Sequence, residues 1–330
     1  MQHFLLSAAA RTISVAKVAR LSEEDAYQTF KEIRWQENKG EPVCPDCGSI
    51  ECWSFKTRPI FKCKDCNKQF SVTSGTIFAN RKLEIRDYLL GIALFVNAHK
   101  GMSALQLSRD LGVQYKTAYV LAHKIREAVG KYVHDVELSG EVEVDGAYFG
   151  GYLKPTNFKE NRRDRRLAKH QNGKRRCVFV IRERNGRTVP VIIGSENTAA
   201  VQTALRKYIR LDTTIHADEN SAYDALSGLY KIKRINHSEA YSDGISCTNG
   251  AEGWFSRLRR AELGQHHHIS GKYLHSYANE SAYREDNRRR PNGSLMKDIL
   301  QFCLRHRPSG DWSGYWQGNK QRGEVLAHPI

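Results

Sequence analysis

Two CxxC pairs constrain this 330-residue chain more than any other feature. Cys44 and Cys47 stand in "CPDCGS", Cys63 and Cys66 in "FKCKDCNKQF", with residues 48–62 between the pairs. Each CxxC turn aims two thiolates at one point, and a hairpin between them returns the second pair to the first. Four sulfur ligands leave no open coordination position, so the expected zinc is structural. "CWSF" and "RPIFKC" supply aromatic strands for a ribbon too small to fold without its ion. Ligation of this kind belongs to a reducing compartment. Cys52, Cys177, Cys247 and Cys303 read as buried small hydrophobes.

The chain holds 52 Lys and Arg against 36 Asp and Glu, a formal charge of +16 with a pI near 9.5. Such an excess calls for a polyanionic partner, most simply nucleic acid. No apolar run is long enough to span a bilayer, so no membrane partner is expected. "MQHFLLSAAARTISVAK" has a short apolar stretch without a basic start before it and is not read as an export signal. A cytoplasmic, nucleoid-associated protein is the expectation.

The pattern changes along the chain. An N-terminal helical segment (1–40) contains a helix near 21–35 with Ser22 as its N-cap. The zinc ribbon occupies 41–78. Residues 81–132 are helical. From about 140 the alternation becomes strand-like: "EVEVDGAYFGG", "RCVFVIRER", "TVPVIIGSE" and "TTIHADE" are successive strands, with "NTAAVQTALRKYI" a helix before the fourth. "SAYDALSGL" and a short segment around "KIKRINH" follow, and helices resume near Ala251 and over "GKYLHSYANESAYRE". Residues 138–292 thus form a mixed α/β domain, and 293–330 a C-terminal helix and a tail without periodicity, expected to be poorly ordered. The fold class is multidomain α+β.

"MSALQLSRDLGVQYKTAYVLAHKIREAV" reads as a helix-turn-helix. Ser103 caps the first helix and Gly112 makes the turn. Gln114, Tyr115, Lys116 and Thr117 begin the second helix, where recognition helices meet base edges and phosphates. A second basic region, "KPTNFKENRRDRRLAKHQNGKRR", joins the first two strands of the mixed domain. Arg162, Arg163, Arg165, Arg166, Lys174 and Arg175 make it a candidate for DNA backbone contact, against the plainer reading of a solvated hairpin.

Three carboxylates stand at chain positions that can converge. Asp145 ends the first strand, Asp218 ends another, and Glu252 opens a later helix. Strand, strand and helix acids in this order can hold two divalent cations at a sheet edge, about 4 Å apart. All-oxygen ligands favour magnesium or manganese. Each acid also has an ordinary reading. Asp145 is a solvated strand end with Glu143 on the same face; Asp218 caps a helix, with Glu219 beside it; Glu252 closes a capping box with Asn249. Glu280 and Glu285 are further acids downstream. Arg259 lies two helical turns from Glu252, on the same face. The histidines of "GQHHHIS" read as packing or phosphate contacts, because adjacent residues seldom converge on one ion.

The combination of "RWQENKGEPVCPDCGS", "CNKQFSVTSGTIF", "VDGAYFGG", "HADENSAY", "TNGAEGWFSRLRR" and "GQHHHISGKYLHSYANESAYREDNRR" resembles the zinc-ribbon DDE transposases of bacterial insertion sequences, the ISXO-type group. The likeness runs from about 20 to 290. It implies an RNase H-like core, Asp145, Asp218 and Glu252 as the catalytic triad holding magnesium or manganese, and Arg259 where such proteins often carry Lys or Arg. It further implies cleavage of phosphodiester bonds at element ends, joining of 3′-hydroxyl ends to target DNA, and homodimers or higher multimers on paired terminal inverted repeats. Two alternatives stand beside it: from another class, a transposase-derived DNA-binding protein without catalysis, and on the same core, an RNase H-like nuclease that cuts without joining.

Overall fold

The computed structural model describes residues 4–151, 156–162, 167, 170, 173–235, 248–321 and 323–327. The chain divides into two units, Met1–Tyr132 with Asn287–Arg322, and Val133–Asp286 with Gly323–Ile330.

In the first unit, α1 (Val15–Ala19) and α2 (Glu23–Arg34) precede a three-stranded ribbon of β1 (Cys52–Ser54), β2 (Ile60–Cys63) and β3 (Gln69–Ser71). α3 (Ile85–Asn97), α4 (Ala104–Leu111) and α5 (Tyr115–His134) follow, and α9 (Asn292–Arg305) returns from the far end of the chain. The Ser22 hydroxyl accepts from the Asp25 amide at 3.0 Å, which fixes the start of α2. Glu23, one residue on, caps a different helix: its carboxylate accepts from the Ile85 and Arg86 amides at 2.7 and 3.0 Å. α3 is the most apolar of these helices and buries Ile85, Leu89, Ile92, Ala93 and Phe95 against α1, α2 and α9. The ribbon hangs from the end of α2. Trp35 meets Phe61 edge-on at 5.3 Å, and Arg34 donates to the Ser71 carbonyl at 3.0 Å. The segment after α9, expected to be poorly ordered from its lack of periodicity, is held by packed aromatic side chains. It forms an irregular loop around Trp312, which is 4% exposed.

The second unit is built on a five-stranded sheet of β4 (Glu141–Gly150), β5 (Arg175–Glu183), β6 (Thr188–Ile193), β7 (Thr214–Ala217) and β8 (Lys231–Arg234). Their order is β6-β5-β4-β7-β8. The first three strands pair antiparallel; β7 and β8 add in parallel. This mixed order is the RNase H-like arrangement. α6 (Thr198–Tyr208) crosses from β6 to β7, and α7 (Asn249–Ala261) and α8 (Gly271–Asp286) close the unit. The "SAYDALSGL" segment forms a 3-10 turn over Ser221–Leu226. Val142, Val144, Phe179, Ile181 and Val191 form one core with Val201, Ala204, Leu205 and Tyr208 of α6. The opposite face is covered by α7 and α8, which pack on β4, β5 and β6. Cys177 to Ile181 are therefore buried without interruption, as expected of a central strand covered on both sides.

Candidate active site and zinc centre

β4 places Asp145 mid-sheet, paired in register with Val180 of β5. Val142 and Val144 face α6, so Glu143, Asp145 and Phe149 face α7. Phe149 meets Phe255 of α7 at 6.3 Å. Asp145 accepts the Gly146 amide proton at 2.7 Å. Burial pushes its carboxyl up to about 7; the Gly146 amide opposes this, while the charges of Asp218, Glu196 and Glu252 push the same way. Asp218 and Glu252, the other two acids singled out in the sequence, thus both act on Asp145.

Asp218 follows β7 directly, half-buried. Its Oδ1 accepts from the Asn220 amide at 3.0 Å. The cap of the following 3-10 turn is Asn220, which accepts from the Ala222 amide. Asp218 is thus not the cap, and Glu219 beside it is exposed. Glu252 lies in the first turn of α7, which docks through Ala251, Trp254, Phe255 and Leu258. The capping-box pairing with Asn249 is not formed. Thr248 is the N-cap, and its hydroxyl donates to the Glu252 carboxylate at 3.4 Å. Glu280 and Glu285 are buried and salt-bridged, Glu280 to Arg284 at 2.7 Å and Glu285 to both Arg182 and Arg257 at 3.1 Å.

Glu143 has a different task. It is 5% exposed, ion-paired with Arg184 at 3.3 Å, and accepts the Ala251 amide proton at 3.1 Å. It satisfies one of the orphan amides at the start of α7 and so ties the helix bearing Glu252 to the strand bearing Asp145. Gly250 leaves the room: a Cβ there would stand 2.6 Å from the Glu143 carboxylate.

Sequence reasoning missed Glu196. It leaves β6 just ahead of Asn197, the N-cap of α6, in the same strand-exit context that singled out Asp218. Its amide donates to the Tyr148 hydroxyl at 3.3 Å, and its carboxylate accepts from the Tyr223 hydroxyl. A Cβ on Gly146 would run into that carboxylate, which therefore lies against the backbone next to Asp145. Burial raises its pKa; the Tyr223 hydrogen bond opposes this and Asp218 adds to it.

Cations flank the end of β4. Arg259 is exposed, its guanidinium 5.9 Å from the Phe149 ring centre, and Arg175 lies over Tyr148 at 4.5 Å. Arg162 is exposed and holds the Thr156 carbonyl at 3.4 Å, and Lys174 is exposed just ahead of β5. Arg163, Arg165 and Arg166 lie outside the described residues. His266 packs edge-on against Tyr277 at 4.6 Å, while His267 and His268 are exposed, so the three histidines do not converge.

In the first unit the four cysteine sulfurs all lie within 4.8 Å of one another. Cys44 and Cys66 are 3.6 Å apart, and Cys47 and Cys63 3.5 Å. Tetrahedral zinc with bonds of ~2.3 Å sets its sulfurs ~3.8 Å apart, so the cluster is a structural zinc site nearly at its bound spacing. The Cys66 amide pointing at Cys63 lowers that thiol, against the effect of burial, while Cys47 and Cys66 shift upward: four thiols this close cannot all ionise unless a cation sits among them. Among the described residues no other group of three or more such ligands is this tight. The carboxylates around Asp145 interact over a wider spacing. Cys177 and Cys303 are buried and Cys52 half-buried; Cys247 lies outside the described residues.

The helix-turn-helix forms with Ser103 accepting from the Gln106 amide at 3.1 Å and Gly112 left-handed at φ 65°. Leu107 of α4 packs with Ala118 and Ala122 of α5. The Gln114 carbonyl accepts the first amides of α5, and Gln114, Tyr115 and Lys116 are exposed, with Thr117 half-buried.

Comparison with known proteins agrees with this division of labour. Residues 137–286 match the ISXO2-like transposase domain, and residues 21–69 match the transposase zinc-ribbon domain. An uncharacterized protein in transposable element ISH50 of Halobacterium salinarum is 26% identical over 294 residues, covering 86% of this chain and 98% of that one. No solved structure matches the chain. With a four-cysteine ribbon followed by a mixed-sheet domain, each matching its own module of one family, the chain belongs to the zinc-ribbon IS1595-type transposases.

Proposed function

We propose that this protein moves an insertion sequence: it binds the terminal inverted repeats, cleaves phosphodiester bonds there, and joins the freed 3′-hydroxyl ends to target DNA. One observation carries the reading. Within the matched transposase domain, Asp145 sits on a central strand and feels the charges of Asp218, Glu196 and Glu252. The donor set is all oxygen and mutually repulsive, which suits a hard divalent cation such as magnesium or manganese. Asp145, Asp218 and Glu252 would hold it, with Glu196 as a fourth carboxylate alongside. A divalent ion bound there supplies Lewis-acid neutralisation of the charge that builds on the phosphate oxygens.

The chain's own residues do the rest. β4 fixes Asp145 by its pairing with Val180 of β5, just past the end of the β7 pairing at Glu143, and Glu143 holds the helix α7 that carries Glu252. Tyr223 orients Glu196. Arg259 and Arg175 offer guanidinium groups to the DNA backbone, joined by Arg162, Lys174 and the loop arginines 163, 165 and 166. The helix-turn-helix, through Gln114, Tyr115, Lys116 and Thr117, reads the end sequence. Two ends must be processed together, which calls for a homodimer or larger assembly on DNA. Work on DNA places the protein at the nucleoid. No helix among the described residues is long and apolar enough to cross a membrane.

The test is magnesium- or manganese-dependent cleavage and joining of element-end duplexes. Asp145→Asn, Asp218→Asn and Glu252→Gln should each lower turnover by roughly a thousandfold or more while DNA binding stays within a few-fold. Equal processing by wild type and Asp218→Asn would sink the assignment. Binding without cleavage would point to a DNA-binding descendant, and cutting without joining to a nuclease.

A further inference from the structure

The segment after α9 is built onto α5, the second helix of the helix-turn-helix. Tyr115, Tyr119 and His123 recur every four residues along one face of α5. Trp312 stacks on His123 at 4.4 Å with planes 21° apart, and meets Tyr119 edge-on at 5.7 Å. Tyr315 lies 6.2 Å from Tyr119. This is a different face from the Ala118 and Ala122 face that packs on α4.

The cover stops short of the helix start. The turn Tyr315–Gln317 is bracketed by Gly314 and Gly318, both left-handed at φ 73° and 92°. The Asn319 amide group donates to the Gly310 and Ser313 carbonyls at 2.6 Å each and closes the loop. On this braced loop Trp316 is left 57% exposed, with the Lys116 ammonium 5.1 Å from its ring centre and Tyr115 52% exposed nearby on the helix. Two large exposed rings and a lysine at the amino end of a 20-residue helix favour an anionic partner with flat apolar edges.

We propose that this C-terminal segment is part of the DNA-binding surface, and that Trp316, with Lys116 and Tyr115, contacts the backbone and groove edge of the duplex on which α5 docks. Lys116 supplies the charge and Trp316 the sugar-facing ring; Trp312 and Asn319 hold the loop. The proposal rests on reading α4 and α5 as a DNA-binding helix-turn-helix, and adds a contact from the opposite end of the chain.

The experiment uses the full zinc-loaded chain and fluorescence anisotropy on an element-end duplex and an unrelated duplex of equal length. Trp316→Ala should weaken binding about five- to tenfold with an unchanged melting temperature, and Trp316→Phe should restore most of it. Lys116→Ala should lower the slope of log affinity against log salt by about one. Binding by Trp316→Ala equal to wild type overturns the proposal; tighter binding also overturns it and shows that the segment covers the surface instead. If Trp316→Ala melts early, Lys116→Ala decides, since it removes no packed ring: an unchanged affinity and salt slope overturn the proposal. A wild-type chain that binds neither duplex refutes the helix-turn-helix reading itself.

Discussion

At the scale of single residues, Asp145 carries the sharpest electrostatic consequence. Its folded pKa of about 7 lies above the ~3.9 of an unfolded aspartate, so the folded chain holds this proton more tightly. The stability that follows is complete below the unfolded value and is lost as pH rises through about 7. Without added divalent ions, Asp145→Asn should therefore raise the melting temperature at pH 8, by roughly 1–2 kcal/mol of stability, gain about half as much at pH 5.5, and gain almost nothing near pH 4. Added manganese should stabilise wild type at pH 8 and leave the variant nearly unmoved. Thermal unfolding of the zinc-loaded protein, without chelator, reads both effects; an Asn variant that gains nothing at pH 8 contradicts the repulsive cluster. Asp218 stands where the sequence puts it, directly after a strand, whereas Asp145 does not end its strand: β4 runs on to Gly150, still paired with β5, because the residues after Asp145 continue the ladder. Glu196 likewise follows a strand, and its neighbour Asn197 caps α6, so its chain position alone does not tell a site acid from a helix-start acid. Only the approach of β6's end to Gly146 reveals it, and no local pattern encodes that approach.

At the scale of elements, β4 and α7 show why alternation misleads about solvent. The run "EVEVDGAYFGG" has acids on one face, which ordinarily means a wet face. Here α7 covers that face, and Glu143 is buried because it serves the helix. Its partners, Arg184 and the Ala251 amide, lie 41 and 108 residues away. The ribbon was readable by contrast, since CxxC spacing writes its geometry into a few adjacent residues. The Glu143 bridge gives a prediction at this scale. Glu143→Ala removes one of the two carboxylates on Arg184, which keeps Glu141 at 2.7 Å, and orphans the Ala251 amide, which should cost about 2 kcal/mol. Glu143→Gln keeps an acceptor for the amide and should cost about half as much. If Glu143 instead held the reacting cation, both substitutions would abolish divalent binding and turnover alike. Expected is a loss of turnover that tracks loosening of α7 and is smaller in the Gln variant. Turnover together with hydrogen exchange at the α7 amides separates the two cases.

For the whole molecule, the chain leaves its first unit at Tyr132, builds the sheet unit, and comes back at Asn287. α9 packs on α2 and α3, burying Met296, Ile299, Leu300, Cys303 and Leu304, and Phe302 stacks on Tyr132 at 4.4 Å. The unit that carries the zinc ribbon, α4 and α5 is thus assembled from two separate stretches of the sequence, and it completes only after the sheet unit has been synthesised. The sheet unit draws far less from beyond residue 286: the Ala327 amide donates to the Ile192 carbonyl at 2.9 Å, and Glu324 pairs with Arg176. Truncation after Asp286 should therefore unbalance the two. The first unit loses five buried apolar side chains, roughly 5 kcal/mol or more, which is comparable to the whole stability of a domain. It should become protease-sensitive and release zinc at much lower chelator concentration, while a resistant fragment beginning near Val133 survives. Limited proteolysis with mass spectrometry, alongside a colorimetric zinc-release assay, checks this. A truncated chain that keeps both its zinc and its protection over residues 4–132 would show that α2, α3 and the ribbon fold without α9.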